Sequence, residues 1–197
     1  MNTTVTQKRS LFTVKQLTLV GLMAAVLCIL SPLALSIPIS PVPISLGTLA
    51  IYFVISVLGM KLGTISVAIY ILLGLAGIPV FAGYTSGPGK LLGPTGGYII
   101  GYLFMALICG FFVDKFSRNI PLYLLGMVLG TAICYLFGTL WLAYQMELTF
   151  PKALMAGVIP YIPADIVKLV IATAIGFQIR KRLLLFRGQL ATNKPMV

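Results

Sequence analysis

Residues 74–101 read GLAGIPVFAGYTSGPGKLLGPTGGYIIG, and this stretch decides the fold because long apolar runs flank it on both sides. It holds nine of the chain's 20 glycines and three of its 12 prolines. Glycine permits backbone conformations that other residues resist, and proline fixes φ and removes a hydrogen-bond donor, so the stretch cannot form one regular helix. In so hydrophobic a chain, irregular backbone must reach water, line a cavity or be packed inside protein. The stretch therefore predicts a shaped loop between two membrane helices that forms part of a pocket.

Composition indicates an integral membrane protein. Of the 197 residues, 59% are hydrophobic and only 9% are charged, whereas soluble domains carry about 25% charged residues. The sequence contains no histidine and only three acidic residues, Asp114, Glu147 and Asp165. The lack of histidine excludes Ser-His and Cys-His nucleophilic catalysis and any histidine-ligated metal site. We therefore expect a protein that is not an enzyme and holds neither a metal nor a cofactor.

The apolar runs and their breaks predict an all-α membrane protein with six transmembrane helices, at about 20 residues per span. The last span is placed from Pro163, because proline is favoured at the first position of a helix. Residues 1–16 and 183–197 are then an N-terminal and a C-terminal tail. The six spans are expected at residues 17–36, 44–60, 62–79, 95–113, 120–143 and 163–182.

The basic residues are distributed unevenly between the two sides of this arrangement. Eleven of the 14 Lys and Arg residues lie on the side of the tails, two lie on the opposite side, and Lys168 lies inside the last span. Because positive residues concentrate in the cytoplasm, both termini are predicted to be cytoplasmic. The loops at 37–43, 80–94 and 144–162 then face outward. Nucleic acid is not an expected partner, because the charges mark span ends rather than one soluble face.

Asp165 and Lys168 are the only charged residues well inside a predicted span, and their spacing places them on one helix face. A charge costs about 2.5–3.5 kcal/mol at the centre of a membrane helix and less near its end. Two interpretations are open: an ion pair that merely neutralises itself, or a ligand site. Since both residues lie at the outer end beside the irregular loops, we favour the ligand site.

Small residues recur at intervals of four in three spans and indicate close helix packing. In the first span, Gly21 and Ala25 can serve either internal packing or a partner, and neither use is preferred. In the fourth and fifth spans, internal packing is the simpler interpretation of Gly97 with Gly101 and of Gly126, Gly130, Cys134 and Gly138. The Gly-Pro-Gly-Lys run at 87–90 is not a phosphate loop, because the spacing and the following Ser or Thr are missing.

Four segments carry a recognisable pattern: GIPVFAG at 77–83, LGPTGGY at 92–98, PVPISL at 41–46 and PYIPADIVK at 160–168. Together they resemble the BioY family, the biotin-specific substrate-binding subunits (S components) of energy-coupling-factor (ECF) vitamin transporters. The GPTGGY run is the most specific of the four, and the resemblance extends over about residues 17–182. One departure is Gly47, where the family pattern leads us to expect glutamine, while Ser45 in place of threonine keeps a hydroxyl group.

The resemblance implies an ECF S-component-like bundle in the prokaryotic plasma membrane, with an outward-facing vitamin pocket and no ATPase of its own. The implied partners are biotin, a transmembrane coupling subunit, two ATP-binding-cassette ATPases and the lipid bilayer. Gly21 and Ala25 match the Ala-x-x-x-Ala docking motif of S components with one glycine substitution, although Ala24 and Cys28 form a rival pair. The alternative is a stand-alone secondary transporter of another small vitamin-like solute, with Asp165 coupled to protons.

Biotin also suits the residues themselves, since its ureido ring has two N–H donors and a carbonyl and its tail ends in a carboxylate. Asp165 can accept from the ureido N–H groups, and Lys168 can bind either the carboxylate or the ureido carbonyl. Tyr84, Tyr98 and Tyr161 lie close enough to the outer loops to line an apolar pocket, and glycines let the backbone approach a ligand closely. The expected substrate-binding residues are Ser45, Gly83, Tyr84, Gly87, Thr95, Gly96, Gly97, Tyr98, Tyr161, Asp165 and Lys168.

Overall fold

The computed structural model describes residues 12–35, 41–117 and 119–192, and of residues 181 and 183–192 only the backbone. The outer parts of the expected tails, residues 1–11 and 193–197, lie outside these ranges, and so do residues 36–40, which include most of the outward loop expected at 37–43. The described chain is mostly helical. Its helices are α1 Val14–Leu30, α2 Gly47–Leu75, α3 Pro88–Leu92, α4 Gly96–Lys115, α5 Ile120–Gln145, α6 Phe150–Gly157 and α7 Ile162–Thr192.

Four helical segments of the described chain are long and apolar enough to cross a membrane: Gly47–Leu75, Gly96–Lys115, Ile120–Gln145 and Phe150–Arg180. The last of these joins α6 and α7 through a short 3-10 turn, Ile159–Tyr161. Helix α1 is apolar but shorter, with 17 residues. Two short strands, β1 Ala34–Leu35 and β2 Ile44–Ser45, form an antiparallel ribbon in which Ala34 lies opposite Ser45.

Helix α2 reverses its direction at Gly59 and therefore consists of two antiparallel halves, residues 47–58 and 60–75. Gly59 has a φ of 77° and lies outside the helical region. A Cβ atom built on Gly63 would lie 3.3 Å from the Cα of Ile55, whereas residues eight apart in a straight helix are separated by about 12 Å. The two halves cover most of the spans expected at 44–60 and 62–79. The second half ends at Leu75, since Gly77 takes a positive φ of 101°.

The ends of α1 and α7 differ from the expected bounds because local backbone chemistry sets them, not hydropathy. Helix α1 begins at Val14, since Thr13 and Gln16 form a reciprocal capping box. It ends at Leu30, two residues before Pro32, where the expected span continued to residue 36. Helix α7 runs on to Thr192, beyond the expected end at 182. Part of the expected C-terminal tail is therefore helical.

Contacts divide the ends of the helices into two groups. At one end, which we call the Asp114 end, the Asp114 carboxylate accepts from the backbone N–H of Met60 at 2.9 Å and pairs with Arg180 at 2.5 Å. Lys61, in the same α2 turn as Met60, lies 5.6 Å from the ring centre of Phe12, just before α1. The start of α1, the Gly59 turn, the end of α4 and the Arg180 turn of α7 therefore lie together.

At the opposite end, which we call the Asp165 end, the loops assemble. The Ser45 hydroxyl donates to the carbonyl of Ser31 at 3.0 Å, and the N–H of Gly83 donates to the carbonyl of Pro32 at 3.0 Å. The Lys168 ammonium, on α7, donates to the carbonyl of Ser45 at 2.7 Å. The end of α1, the β-ribbon, the glycine-rich loop and the beginning of α7 thus converge on one region.

Helices α4 and α5 pack closely because glycines face large side chains across their interface. A Cβ on Gly97 would lie 2.2 Å from the Cβ of Trp141, and one on Gly138 would lie 2.2 Å from the ring of Tyr98. A Cβ on Gly101 would lie 3.1 Å from the Cα of Cys134. The predicted packing role of the small residues in these two spans is confirmed.

Candidate ligand-binding site

Two adjoining cavities lie at the Asp165 end. The first, the Asp165 cavity, encloses about 420 Å³ and the second, the Lys90 cavity, about 370 Å³, in each case including space open to solvent. They share five lining residues, so the two cavities lie side by side. The shared residues are Val42, Pro43, Ser45, Tyr98 and Tyr102.

The Asp165 cavity is built around an ion pair in the first turns of α7. The Nζ of Lys168 lies 2.7 Å from Oδ1 of Asp165, and both residues are less than a tenth exposed. Asp165 also accepts hydrogen bonds from the hydroxyls of Thr48, at 3.2 Å, and Tyr135. The dipole of α7 favours an anion at this position. Asp165 therefore links α7 to α2 and α5 from a buried position.

Lys168 has no donor left over. Besides Asp165, its ammonium donates to the carbonyl of Ser45 at 2.7 Å and to the hydroxyl of Thr48 at 3.2 Å. A lysine ammonium has three N–H donors, and these three acceptors engage all of them. A carboxylate has acceptor capacity for about four hydrogen bonds, so Asp165 can still accept one from a ligand.

Tyrosine side chains line the cavities between the Asp165–Lys168 ion pair and the loops. Tyr98 donates to the carbonyl of Gly157 at 2.9 Å, and Tyr161 donates to the carbonyl of Val42. Both are less than a tenth exposed. With their donors occupied, these tyrosines present mainly ring surface to the cavities, together with Tyr102. Such walls suit an apolar ring system.

The structure brings together six of the residues expected to bind substrate and leaves five outside the two cavities. Gly96 and Gly97 open α4, where a Cβ on Gly96 would lie 1.6 Å from the carbonyl oxygen of Leu91. Gly83 and Gly87 take positive φ values of 74° and 85°, so they shape the loop but do not line a cavity. Those lining a cavity are Ser45, Thr95, Tyr98, Tyr161, Asp165 and Lys168; those lining neither are Gly83, Tyr84, Gly87, Gly96 and Gly97.

Sequence reasoning missed several lining residues that do not belong to the recognised motifs. Thr48 contacts Asp165 across 117 positions and Tyr135 does so across 30. Lys90 lines the second cavity and is partly buried. Lys90 could have been selected from the sequence, because it is the single charged residue of the glycine-rich stretch.

Gly47 lies at the start of α2, buried beside the cavities. A Cβ there would lie 3.0 Å from the Ser45 hydroxyl, 3.2 Å from the Ser31 hydroxyl and 3.5 Å from the Tyr102 hydroxyl. A longer side chain at this position would therefore reach into the lining that Ser45 and Tyr102 form.

Comparison with known proteins decides the family. The model of the BioY family matches residues 2–184 of the chain. The chain belongs to the BioY family. The expected membership is confirmed. Together with the apolar helices, it shows that the chain is an integral membrane protein.

Relatives from bacteria and archaea match nearly end to end. The biotin transporter BioY2 of Lactococcus lactis subsp. cremoris is 37% identical over 179 residues, which are 90% of this chain and 93% of the relative. The probable biotin transporter BioY of Pyrococcus horikoshii is 42% identical over 164 residues, 82% of this chain and 93% of the relative.

One solved BioY-like structure has the same fold. It is the S component for biotin from an ECF-type ABC transporter, a crystal structure at 2.1 Å. The TM-score is 0.80 at 34% sequence identity, and the match covers 85% of this chain and 92% of the other. The helical bundle described above is therefore that of an ECF S component.

Proposed function

We propose that this protein is the biotin-binding S component of an ECF-type transporter, which captures biotin outside the cell while partner subunits hydrolyse ATP. The observation that carries the proposal is the buried Asp165–Lys168 pair in the wall of a cavity at one end of a BioY-family bundle. Biotin combines the features that this cavity favours, namely N–H donors for a carboxylate and an apolar ring for tyrosine walls.

The ureido ring of biotin is expected to bind at Asp165. One of its N–H groups can donate to the remaining acceptor site of the carboxylate, which Thr48 and Tyr135 already hold in position. The thiophane ring then lies against Tyr98 and Tyr102, which line both cavities. Binding is non-covalent, and the site positions no nucleophile for chemistry on the ligand.

The orientation in the membrane follows from the charges. Lys61, Lys115 and Arg180 lie at the Asp114 end, whereas Lys90 and Lys152 belong to the segments at the Asp165 end. Positive residues favour the cytoplasm, so the Asp165 end faces outward. With the two halves of α2 counted separately, the chain crosses the plasma membrane six times and both termini are cytoplasmic.

Docking to the coupling subunit is assigned to the free face of α1. Gly21 and Ala25 are exposed on it, and a Cβ on Gly21 would meet nothing within 4 Å. The rival residue Ala24 is 3% exposed and faces the bundle. This free small-residue face favours a partner-dependent protein over the stand-alone secondary transporter that is the alternative.

Binding of labelled biotin by the purified protein in detergent tests the proposal. Asp165→Asn and Lys168→Ala should each weaken binding by about 1–3 kcal/mol, because buried polar groups then lose partners. Lys152→Ala is the matched control, since Lys152 is exposed on α6 and lines neither cavity. Wild-type protein that fails to bind biotin, or unchanged affinity in both site variants, would contradict the proposal.

A further inference from the structure

A groove lies between α5 and α7 and opens on the outside of the bundle; we call it the lateral groove. It measures about 670 Å³, including space open to the surroundings. Helix α7 packs mainly against α2, and α5 packs mainly against α4 and α6, so a gap is left between α5 and α7. Two side-chain contacts bridge the gap: the hydrogen bond from Tyr135 to Asp165 and the ring contact of Tyr123 with Phe177, whose centres lie 6.1 Å apart.

The lateral groove is apolar at its rim, and the polar groups of its floor are already satisfied. Among the buried floor residues, Tyr52 and Thr131 share a hydrogen bond, and the Thr131 hydroxyl donates to the carbonyl of Met127 at 2.8 Å. Water in the groove would therefore find few hydrogen-bond partners. The exposed rim residues are Val128, Ala132, Ile162 and Ile166.

The lateral groove is continuous with the surface that an integral membrane protein presents to lipid. Both of its bordering helices belong to segments long and apolar enough to span a membrane. Large apolar side chains beside the rim are also exposed, so lipid chains cover the surroundings of the groove. These neighbours are Leu125 and Leu129 on α5 and Val167 and Val170 on α7.

The length of the gap suits one lipid chain. The two bridging contacts lie twelve positions apart on each helix, which corresponds to about 18 Å along the helix axis. One leaflet contributes about half of the roughly 30 Å hydrocarbon layer. A single acyl chain can therefore lie along the gap without leaving its own leaflet.

The lateral groove and the Asp165 cavity lie on two sides of one thin wall. Tyr135 and Asp165 line both of them. The hydrogen bond between these two side chains thus separates the cavity from the membrane side of the bundle. Whatever fills the groove also covers the outer side of this wall.

We propose that the lateral groove binds an acyl chain of a membrane lipid from the leaflet that surrounds the Asp165 end. The bound chain covers the membrane side of the Tyr135–Asp165 contact and keeps water away from it. This interaction goes beyond the proposed function and requires no bound biotin. A failure of biotin binding would therefore leave it standing, and its own failure would leave biotin binding standing.

The test is photo-crosslinking of the full-length protein in nanodiscs of phosphatidylcholine that carries a diazirine in the middle of one acyl chain. Mass spectrometry of the digested protein locates the labelled residues. In wild-type protein, residues 128–135 and 162–169 should be labelled several-fold more strongly than Phe104, which is exposed on α4. Even labelling of the groove and of Phe104 would overturn the proposal, because it would show only the general lipid layer around the protein.

Ala132→Phe fills the lateral groove with a side chain of the protein. It should lower labelling of the groove relative to Phe104 by about tenfold, because the added ring displaces roughly two buried methylene groups. Ala174→Phe is the matched control, since Ala174 is an exposed alanine on α7 that does not line the groove. An equal loss of labelling in the two variants would contradict a specific site.

Native mass spectrometry of the same proteins, released from a mild detergent, identifies the occupant. One lipid retained by the wild type and by Ala174→Phe, and lost in Ala132→Phe, is the expected result. Dimers that Ala132→Phe converts to monomers, with no lipid retained, would assign the groove to a second copy of the chain and overturn the proposal.

Discussion

Lys168 and Asp165 stabilise the site as a pair, although each is costly alone in so buried a place. Removing one partner of a buried ion pair costs about 3–5 kcal/mol, because the other charge stays buried, whereas replacing both is often nearly neutral. Lys168 is 9% exposed and Asp165 is 7% exposed, so this rule applies to them.

Lys168→Met should therefore lower the thermal unfolding temperature in detergent by several degrees, and the double variant Asp165→Asn/Lys168→Met should recover much of the loss. Both variants should bind biotin poorly. The measurement is the apparent midpoint at one fixed heating rate, since such transitions are often irreversible. A double variant no more stable than Lys168→Met would show that the charges do not compensate each other.

At the residue scale the sequence was informative about charge and uninformative about distance in space. Asp165 and Lys168 could be found because charges are rare in apolar spans. The two interpretations left open, an ion pair or a ligand site, turn out to be compatible in the structure, since the pair also lines a cavity. Thr48 and Tyr135 could not be found, because nothing in their own surroundings in the chain marks a contact with Asp165.

At the element scale, the reversal in α2 depends on one glycine. Gly59 combines a φ of 77° with a ψ of −170°, a region that is essentially confined to glycine and costs other residues about 1–3 kcal/mol. A Cβ there would also lie 2.2 Å from Oδ1 of Asp114 and disturb its pairing with Arg180. The helical hairpin of α2 therefore does not accommodate a side chain at position 59 without strain.

Gly59→Ala should destabilise the protein by at least about 1–3 kcal/mol, which is the cost of the strained backbone conformation without the clash with Asp114. The yield of monodisperse protein and the unfolding midpoint are the measurements. Gly89→Ala is the control, because Gly89 has open space around its Cβ direction and no positive φ. An equal effect of the two variants would mean that the turn can relax around a side chain.

Hydropathy and small-residue spacing gave the positions of most helices, but not their ends. The capping box of Thr13 with Gln16 moves the start of α1, and α7 continues past its basic cluster because Arg, Lys and Leu are good helix formers. The glycine-rich stretch was expected to form part of a pocket, yet its glycines mostly shape the backbone. Its contributions to the cavity walls come from Lys90, Thr95, Tyr98 and Ile99, with Phe81 and Ala82 beside them.

At the scale of the whole molecule, one free helix face offers a route to assembly. On α1 the exposed residues include Val14, Leu17, Gly21, Leu22 and Ala25, whereas Val20, Met23, Ala24 and Leu27 are buried against the bundle. Small residues allow close approach of a second helix. The binding cavities lie at the other end of the bundle from the start of this helix.

Gly21→Leu should keep biotin binding intact and abolish both co-purification with the coupling subunit and biotin uptake by cells. Ala174→Leu is the matched control, since it enlarges an exposed small residue on α7 instead. Uptake that survives Gly21→Leu after the complex is lost would favour the stand-alone transporter. A complex that still forms would mean that α1 docks by another face.

The short first half of α2 bears on the depth in the membrane at which the ligand binds. Its 12 residues, 47–58, rise only about 18 Å, against a hydrocarbon layer of about 30 Å. In the orientation proposed above, with the Gly59 turn at the inner surface, Thr48 and the carboxylate beside it lie well beneath the outer headgroups. Dissolved ions screen charges poorly at such a depth. We therefore expect ligand affinity at Asp165 to change little with the salt concentration of the medium, and the rate of entry to change more.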